Sequence, residues 1–493
     1  MRKFLLEIGL LFLLCVIFFS ETFSQENKSE YVVLVQKAVR TDVSWGKVVD
    51  ELVRKHQAEV VMYDSLISET LLRLREIYPR YVAVVEKPEN INREFVIDLN
   101  QMSRQVDGDI YVDFLWGIIT GYDAESALRL IERGDGPKEM SSAWCLGALS
   151  ELKDGRYFER MGLCCEERRG NSKNEWIEKN SLVSAENQLD VNSKIIYWGE
   201  NNHPDIVIWE AVGQPDRMCF QWKKGANMDV VTCRGKLWRG ERELKLQDNV
   251  RVCFLPMAYG NTWGTKESFP ISWLKSEEVG ALVSGMDFST FGKGTWGTLQ
   301  FWLTDAGRFS LAEAQFLNQQ DLLCRLKQWK PELLEKNFVY SKKMDDCLLT
   351  SYQAEQDATV ELLRGDANAL KKFYYMYERD IMVYYGDPAW RVTAKDVIRD
   401  LPYTVSCKMK GKKCVVTIRT TATFSWERLH EGIMQRVGEL PVCYFFPKRL
   451  KNPRLAEKQE YELNVVVDEN FLFVYDTYFK PNKKYKIVLD MDK

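Results

Sequence analysis

The run from Val252 to Ala258 is apolar and stops abruptly at Tyr259-Gly260-Asn261. An apolar run ended by residues that tolerate a sharp turn reads as a buried strand. In α/β proteins the ligand crevice lies outside the carboxyl ends of such strands. Thr262 is therefore expected at the mouth of this one. A second strand of the same kind, Asp205-Ile-Val-Ile-Trp-Glu-Ala-Val212, is expected to end at Val212, and 262 − 212 = 50 residues separate the two mouths. Strands of this kind call for a mostly parallel sheet with helices on its faces.

The amino-terminal part has the matching rhythm. Tyr31–Val35, Val60–Tyr63 and Tyr81–Val85 are short β-branched runs. Between them Val48, Val49, Leu52 and Val53 recur at helical spacing, as do Leu71, Leu74 and Ile77, and a third helix is expected from Asn92 or Arg93 to Met102. Strand and helix in alternation imply βαβ units. No glycine-rich phosphate loop follows any of these strands, so nucleotide binding is not indicated.

Asp107, Asp109 and Asp113 place three carboxylates within seven residues. Oxygen ligands of this kind can hold calcium, but the remaining positions of an EF-hand loop are absent, and the preferred reading is of turn carboxylates capping a strand entry. Ser141 to Leu189 shows no clear period and reads as an insertion packed on the sheet rim. Asp216 to Arg239 reads as one or two hairpins, Val279 to Asp287 as a further strand, and Gly292 to Gly297 as a loop with three glycines. Phe309 to Leu326 reads as a long amphipathic helix, capped by Ser310 with Glu313 three residues later. Thr359 to Tyr377 is helical and rich in aromatics. From Tyr403 onward the signals are short alternating strands (403–409, 413–419, 461–467, 471–475 and 485–489), separated by clusters such as Lys410-Gly411-Lys412, which is the pattern of an antiparallel sandwich.

The net charge of −3 lacks the basic face that nucleic acid or an anionic membrane would need. The lysine runs at 448–458 and 480–486 read as solvated edges. Arg2 and Lys3, the apolar stretch Phe4–Phe19 and Thr22-Phe23-Ser24 have the order of a signal peptide, and no later stretch is long enough to cross a bilayer. Export is therefore expected, to a periplasm, a cell surface or the medium. Of twelve cysteines, eleven would remain after cleavage, too dispersed for a disulfide scaffold. With no Cys-x-x-Cys, zinc has little support. No cofactor and no metal are expected.

The two strand mouths resemble the gingipain-like branch of the caspase-fold (clan CD) cysteine peptidases. There one strand ends in Ser-Gly-His, supplying the base, and a later one in Gly-Asn-Cys, supplying the nucleophile. A base about 50 residues upstream of the thiol is the caspase spacing. Here the strands end in Glu210-Ala211-Val212 and Gly260-Asn261-Thr262. The segment Tyr111-Val-Asp113-Phe-Leu-Trp116-Gly-Ile-Ile-Thr-Gly-Tyr122 and Tyr384-Tyr-Gly-Asp387-Pro388 also resemble this family. The resemblance spans about residues 31–490. It implies a caspase/gingipain-like α/β domain over 25–400 after a signal peptide at 1–24, then an immunoglobulin-like sandwich over 401–493.

On that resemblance no dyad is intact. Val212 and Thr262 occupy the positions of base and nucleophile, with Glu210, Gly260 and Asn261 around them. His203 precedes the strand that leads to Val212 and should lie at its opposite end. His56 and His430 read as surface or packing residues. A Glu210–Thr262 pair on one side of the crevice is conceivable, yet a carboxylate is a weak activator for a hydroxyl. The expected function is that of an exported pseudopeptidase that binds or scaffolds, with a peptide or protein at the former active site. The alternative is an active cysteine-type endopeptidase with a displaced catalytic set.

Exported protein should begin at Gln25. Amino-terminal mass analysis checks this, and an intact Met1 in mature material would refute it.

Overall fold

A computed structural model describes residues 30–147, 152–166, 174–214, 216–219, 230–244, 249, 252–256, 265–275, 278–286, 293–334, 364–366, 369–397, 402–425, 439–475 and 479–492. Residues 1–24, expected as a signal peptide, His430 and the first residues of the helix expected from Thr359 lie outside them.

β1 (Tyr31–Gln36) is flanked by two parallel neighbours, β2 (Glu59–Tyr63) and β3 (Tyr81–Val85). Burial on both faces makes it read as an unbroken apolar run rather than an alternation. The helix Val43–His56 returns from β1 to β2. Asp42 caps it by accepting from the Ser44 and Trp45 N–H groups, and Val48, Val49 and Leu52 are buried. Helix Arg93–Met102 is capped by Asn92 in the same way and leads toward β4 (Leu115–Ile119), which pairs with β3 from Tyr81↔Leu115 to Val85↔Ile119. The three helices and three β-branched strands expected here are all present, and the carboxylate turn leads into β4.

β5 (Lys138–Met140) makes a small ladder outside the main sheet. The next segment departs from expectation. Where an insertion was expected, β6 (Ser142–Gly147) and β7 (Arg160–Glu166) extend the central sheet in parallel, and β8 (Asn174–Lys179) ends it antiparallel. Strands covered on both faces carry no alternation to detect, and β6 is buried at every position.

β9 (Ile206–Trp209) lies beside β6. The chain then leaves the sheet for a separate antiparallel one made of β10 (Val212–Gln214), β11 (Arg217–Cys219), β12 (Val230–Cys233), β13 (Lys236–Arg239) and β14 (Arg242–Leu244). It comes back as β15 (Val252–Leu255) and β16 (Ala281–Gly285), and after the helices as β17 (Met382–Tyr385). β18 (Val392–Ala394) pairs with β5. Among the described residues the central sheet has 11 strands in the order β2-β1-β3-β4-β17-β16-β15-β9-β6-β7-β8, with β17 antiparallel to β16.

The glycine-rich stretch at 292–297, expected as a loop, instead opens the helix Gly294–Thr304 from its third residue on. Gly297 is needed there, because a Cβ would collide with the Asn318 amide of the next helix. That helix, Leu311–Trp329, has the expected capping box between Ser310 and Glu313. It is not amphipathic in its surroundings, since Gln315, Asn318, Gln319, Gln320 and Asp321 are buried along with its leucines. It runs between the sheet and the carboxy-terminal module, so both of its sides are covered. Gln320 exchanges hydrogen bonds with the main chain of Val112, and Gln319 donates to Asn100.

The carboxy-terminal module is the expected antiparallel sandwich. β19 (Tyr403–Lys410), β20 (Lys413–Thr420) and β25 (Lys484–Asp490) form one sheet with the short β22 (Arg454–Leu455). β21 (Val442–Phe445), β24 (Phe471–Tyr475) and β23 (Asn464–Val467) form the other. β21 and β22 are too short to stand out in the sequence. β24 is buried on both faces: Leu472 and Val474 enter the sandwich core, while Phe471, Phe473 and Tyr475 enter the core of the α/β module. Phe471 meets Tyr111 and Phe316, and Phe473 meets Phe301.

Truncating Phe473 to alanine should cost about 3–5 kcal/mol, as for other buried aromatics. Both modules should then unfold in a single transition at lower temperature. Two separate calorimetric transitions would show that the shared aromatic layer does not couple them.

Candidate active-site crevice

β15 and β9 are adjacent and parallel, with Val252 opposite Ile206 and Phe254 opposite Ile208. Their carboxyl ends therefore open side by side, as the resemblance implied. β9 stops at Trp209, and the Glu210 N–H makes one last bond to the Leu146 carbonyl at 2.8 Å. Gly147 closes β6 against that turn at φ +128°, where a Cβ would collide with the Glu210 carbonyl.

Val212 is not the end of β9. It opens β10 and pairs with Cys219 of β11, so the chain changes ladder partners between Glu210 and Val212. Glu210 and Val212 therefore do not alternate along one strand. Glu210 itself is half-buried at the mouth. Gly260, Asn261 and Thr262 lie outside the described residues.

Aromatic rings pack around the end of β9. Trp209 meets Trp144 edge-on at 4.8 Å and Trp273 at 5.3 Å. Ser284, near the end of β16, donates to the Leu255 carbonyl at 2.9 Å. Glu267, which no sequence motif singles out, holds this side together. It accepts from the Tyr122 hydroxyl (3.1 Å) and from the Gly235 N–H in the turn between β12 and β13 (3.3 Å). Lys275 sits 3.8 Å above the Tyr122 ring.

The two thiols inside these strands, Cys253 and Cys145, are poor nucleophiles. Cys253 and Cys145 are fully buried within β15 and β6, and burial pushes both thiols up from their ordinary value. His203 precedes β9 by three residues and so lies at the end away from the mouth, as expected. His56 is more than a surface residue. Its Nε2 lies 2.6 Å from Asp387 Oδ2, its ring stacks on Tyr31 at 4.1 Å, and the Tyr31 hydroxyl donates to Asp387 Oδ1 at 2.9 Å. Lys55 is 3.2 Å from the same carboxylate. Burial would raise the Asp387 pKa, but His56, Lys55 and the Ala389 N–H together hold it below the ordinary value. β17 runs antiparallel to β16 with Tyr385 opposite Leu282, so Asp387 lies beyond the amino end of β16, away from the mouth. This histidine–carboxylate pair ties the start of the module to its end. The 331 positions between the partners left sequence reasoning nothing to connect.

The carboxylates of Asp107, Asp109 and Asp113 converge, with ligand atoms within 4.8 Å of one another. Each accepts a main-chain N–H, from Asp109, Tyr111 and Val106 in turn. This is the turn-capping role read from the sequence. The oxygen set also has the chemistry of a hard-cation ligand group. Burial, then the charge of Asp107, pushes Asp113 up to about 9.

No family model matches the chain, and neither does any curated protein. Two solved structures are similar to it. One is described as "Structure of Protease", with 10% identity and a TM-score of 0.39 over 80% of this chain and 84% of that one. The other is the complex of Porphyromonas gingivalis RgpB pro- and mature domains, with 10% identity and a TM-score of 0.39 over 94% and 93%. Neither assigns a role to any residue of this chain.

A carboxyl raised in the folded state is protonated there while ionised in the unfolded chain. It leaves stability intact below the unfolded value near 4 and removes it as pH climbs toward 9. Asp113→Asn keeps an acceptor for Val106 and removes the titration. Its melting temperature should match the parent at pH 4 and exceed it by a growing margin from pH 5 to 9. A margin that shrinks over that range in thermal melts would refute the assignment.

Proposed function

We propose that the chain is an exported gingipain-like cysteine-peptidase homologue that has lost its catalytic dyad and keeps the crevice to bind a peptide or protein segment. The observation that carries this reading is the side-by-side placement of β9 and β15, taken with the residues just beyond their ends. Glu210-Ala211-Val212 and Gly260-Asn261-Thr262 stand where the resemblance implies Ser-Gly-His and Gly-Asn-Cys.

Thiol peptidases work through a thiolate set beside a base. Valine takes no proton, and the threonine hydroxyl does not ionise at neutral pH. The buried thiols of Cys145 and Cys253 supply no substitute. The residues expected to be exported, 25–400 and 401–493, would form the α/β module and the sandwich. Among the described residues no helix is long and apolar enough to cross a membrane. A binding role suits a strand end, that of β9, from which the chain passes directly into the β10–β14 sheet and at which Trp209 packs on Trp144 and Trp273.

The native protein should cleave no peptide substrate. Base and nucleophile act as a unit, so Val212→His or Thr262→Cys alone should recover almost nothing. The double variant should gain labelling by a thiol-directed electrophilic peptide probe, and that labelling should vanish on denaturation. Robust cleavage by the unmodified protein that survives Thr262→Ala would overturn the proposal in favour of a displaced catalytic set.

A further inference from the structure

The hairpin of β19 and β20 turns through Gly411 and Lys412, with Lys410 opposite Lys413. Met409 is then opposite Cys414, and Cys407 is opposite Val416. Two cysteines thus stand on diagonal positions of neighbouring strands. Side chains two residues apart on a strand share a face, so Cys407 lies on the same side as the partner of Cys414, and both pack toward the sandwich core. Diagonal neighbours on one face stand about 7–8 Å apart, with their Cβ atoms closer. The two thiols also act on one another electrostatically, in opposite directions. The hairpin also lies at the outside of its sheet, in the order β19-β20-β25-β22. Cys414 is buried, while Cys407 is half-exposed.

We propose that Cys407 and Cys414 are a reversible dithiol–disulfide pair, closed by exchange with a small-molecule disulfide such as oxidised glutathione. The Cys407 thiolate attacks one sulfur of glutathione disulfide. That S–S bond breaks, and one glutathione leaves as thiolate, taking up the proton of Cys414. The Cys414 thiolate then attacks Sγ of the mixed disulfide on Cys407 and expels the second glutathione. In total two protein thiols are oxidised to one disulfide and one glutathione disulfide is reduced to two thiols, with no other oxidant required. The order follows from exposure, since Cys407 is the thiol a solute can reach. The neighbouring Cys414 also lowers the pKa of Cys407, while Cys407 raises that of Cys414. Electrophile access and thiolate character therefore fall on the same sulfur. Cys145 and Cys253, closed within the central sheet, offer no such access.

The covalent link would act on register. An edge strand is held by a partner on one side only, and a slip of one residue would turn Cys407 and Val405 out of the core. A bond between diagonal positions fixes the alignment that Val405↔Ile418 and Tyr403↔Thr420 require.

The full-length native protein is incubated with oxidised glutathione or with dithiothreitol, alkylated, and digested with trypsin. Lys408, Lys410, Lys412 and Lys413 lie between the two cysteines, so the reduced protein yields them on separate peptides and the oxidised protein on one linked pair. Oxidation should cause loss of both separate peptides and gain of the linked one, reversed by dithiothreitol. Cys414→Ser should stop at a glutathione adduct on Cys407, and Cys407→Ser should show neither link nor adduct at Cys414. Persistent glutathione adducts in the unmodified protein without a link would overturn the proposal. So would an unreacted pair in the native protein whose thiols both react once it is unfolded. The wild-type digest stands without the variants and without regard to any activity at the crevice.

Discussion

The aromatic layer between β24 and the helix Leu311–Trp329 is the contact on which both modules depend. Phe471, Phe473 and Tyr475 leave the sandwich on one face of β24 and complete the core that Phe316, Phe301 and Tyr111 begin. The other face of the same strand builds the interior of the sandwich. Around this apolar centre, arginines donate to main-chain carbonyls across the junction. Arg80 reaches Phe446, Arg308 reaches Cys443, and Arg449 reaches Tyr78, Pro79 and Asp113. The Tyr475 hydroxyl also reaches Asp321 at 2.8 Å. An apolar centre with a polar surround is how stable interfaces are built. Removing the sandwich would leave the helix Leu311–Trp329 exposing apolar surface together with buried polar groups.

That junction lies apart from the crevice, which depends on a different constraint. β9 and β15 must run parallel and adjacent for their ends to meet, and their apolar sequences suit strands covered on both faces. The sheet does not dictate the residues beyond those ends. Turn residues can be exchanged without disturbing Val252↔Ile206, so a scaffold can lose its reactive groups and keep its shape. Fold and chemistry are separable in this sense.

Much of the fold was legible in the sequence because the signals were local. Ser310 caps its helix where its neighbours suggested, and β1, β3, β16, β20 and β25 lie close to where their apolar runs placed them. The misreadings have physical causes. β6 and β7 carry no alternation because both their faces are covered. The helix at Gly294 hides behind a run of glycines, of which Gly297 is there for close packing on Asn318. At the crevice the sequence located the two strands, yet it carried the first past Trp209 to Val212 and missed the change of ladder, because no residue type marks where a strand changes sheets. The His56–Asp387 contact was invisible for a different reason: proximity across 331 positions is a property of the closed fold.

β17 also bears on how the chain is made. In the sheet it sits between β4 and β16, yet it is the last of the eleven strands to be synthesised. Until Tyr385 emerges, β4 on one side and β16 on the other present open, apolar edges. The gap from Ile119 to Met382 is 382 − 119 = 263 residues, which takes roughly 13–53 s at about 5–20 residues per second. Unpaired edges of this kind invite pairing with other chains. The nascent protein is therefore two half-sheets awaiting a central strand, a state that favours keeping the chain unfolded, or attended by a chaperone, until synthesis is nearly complete.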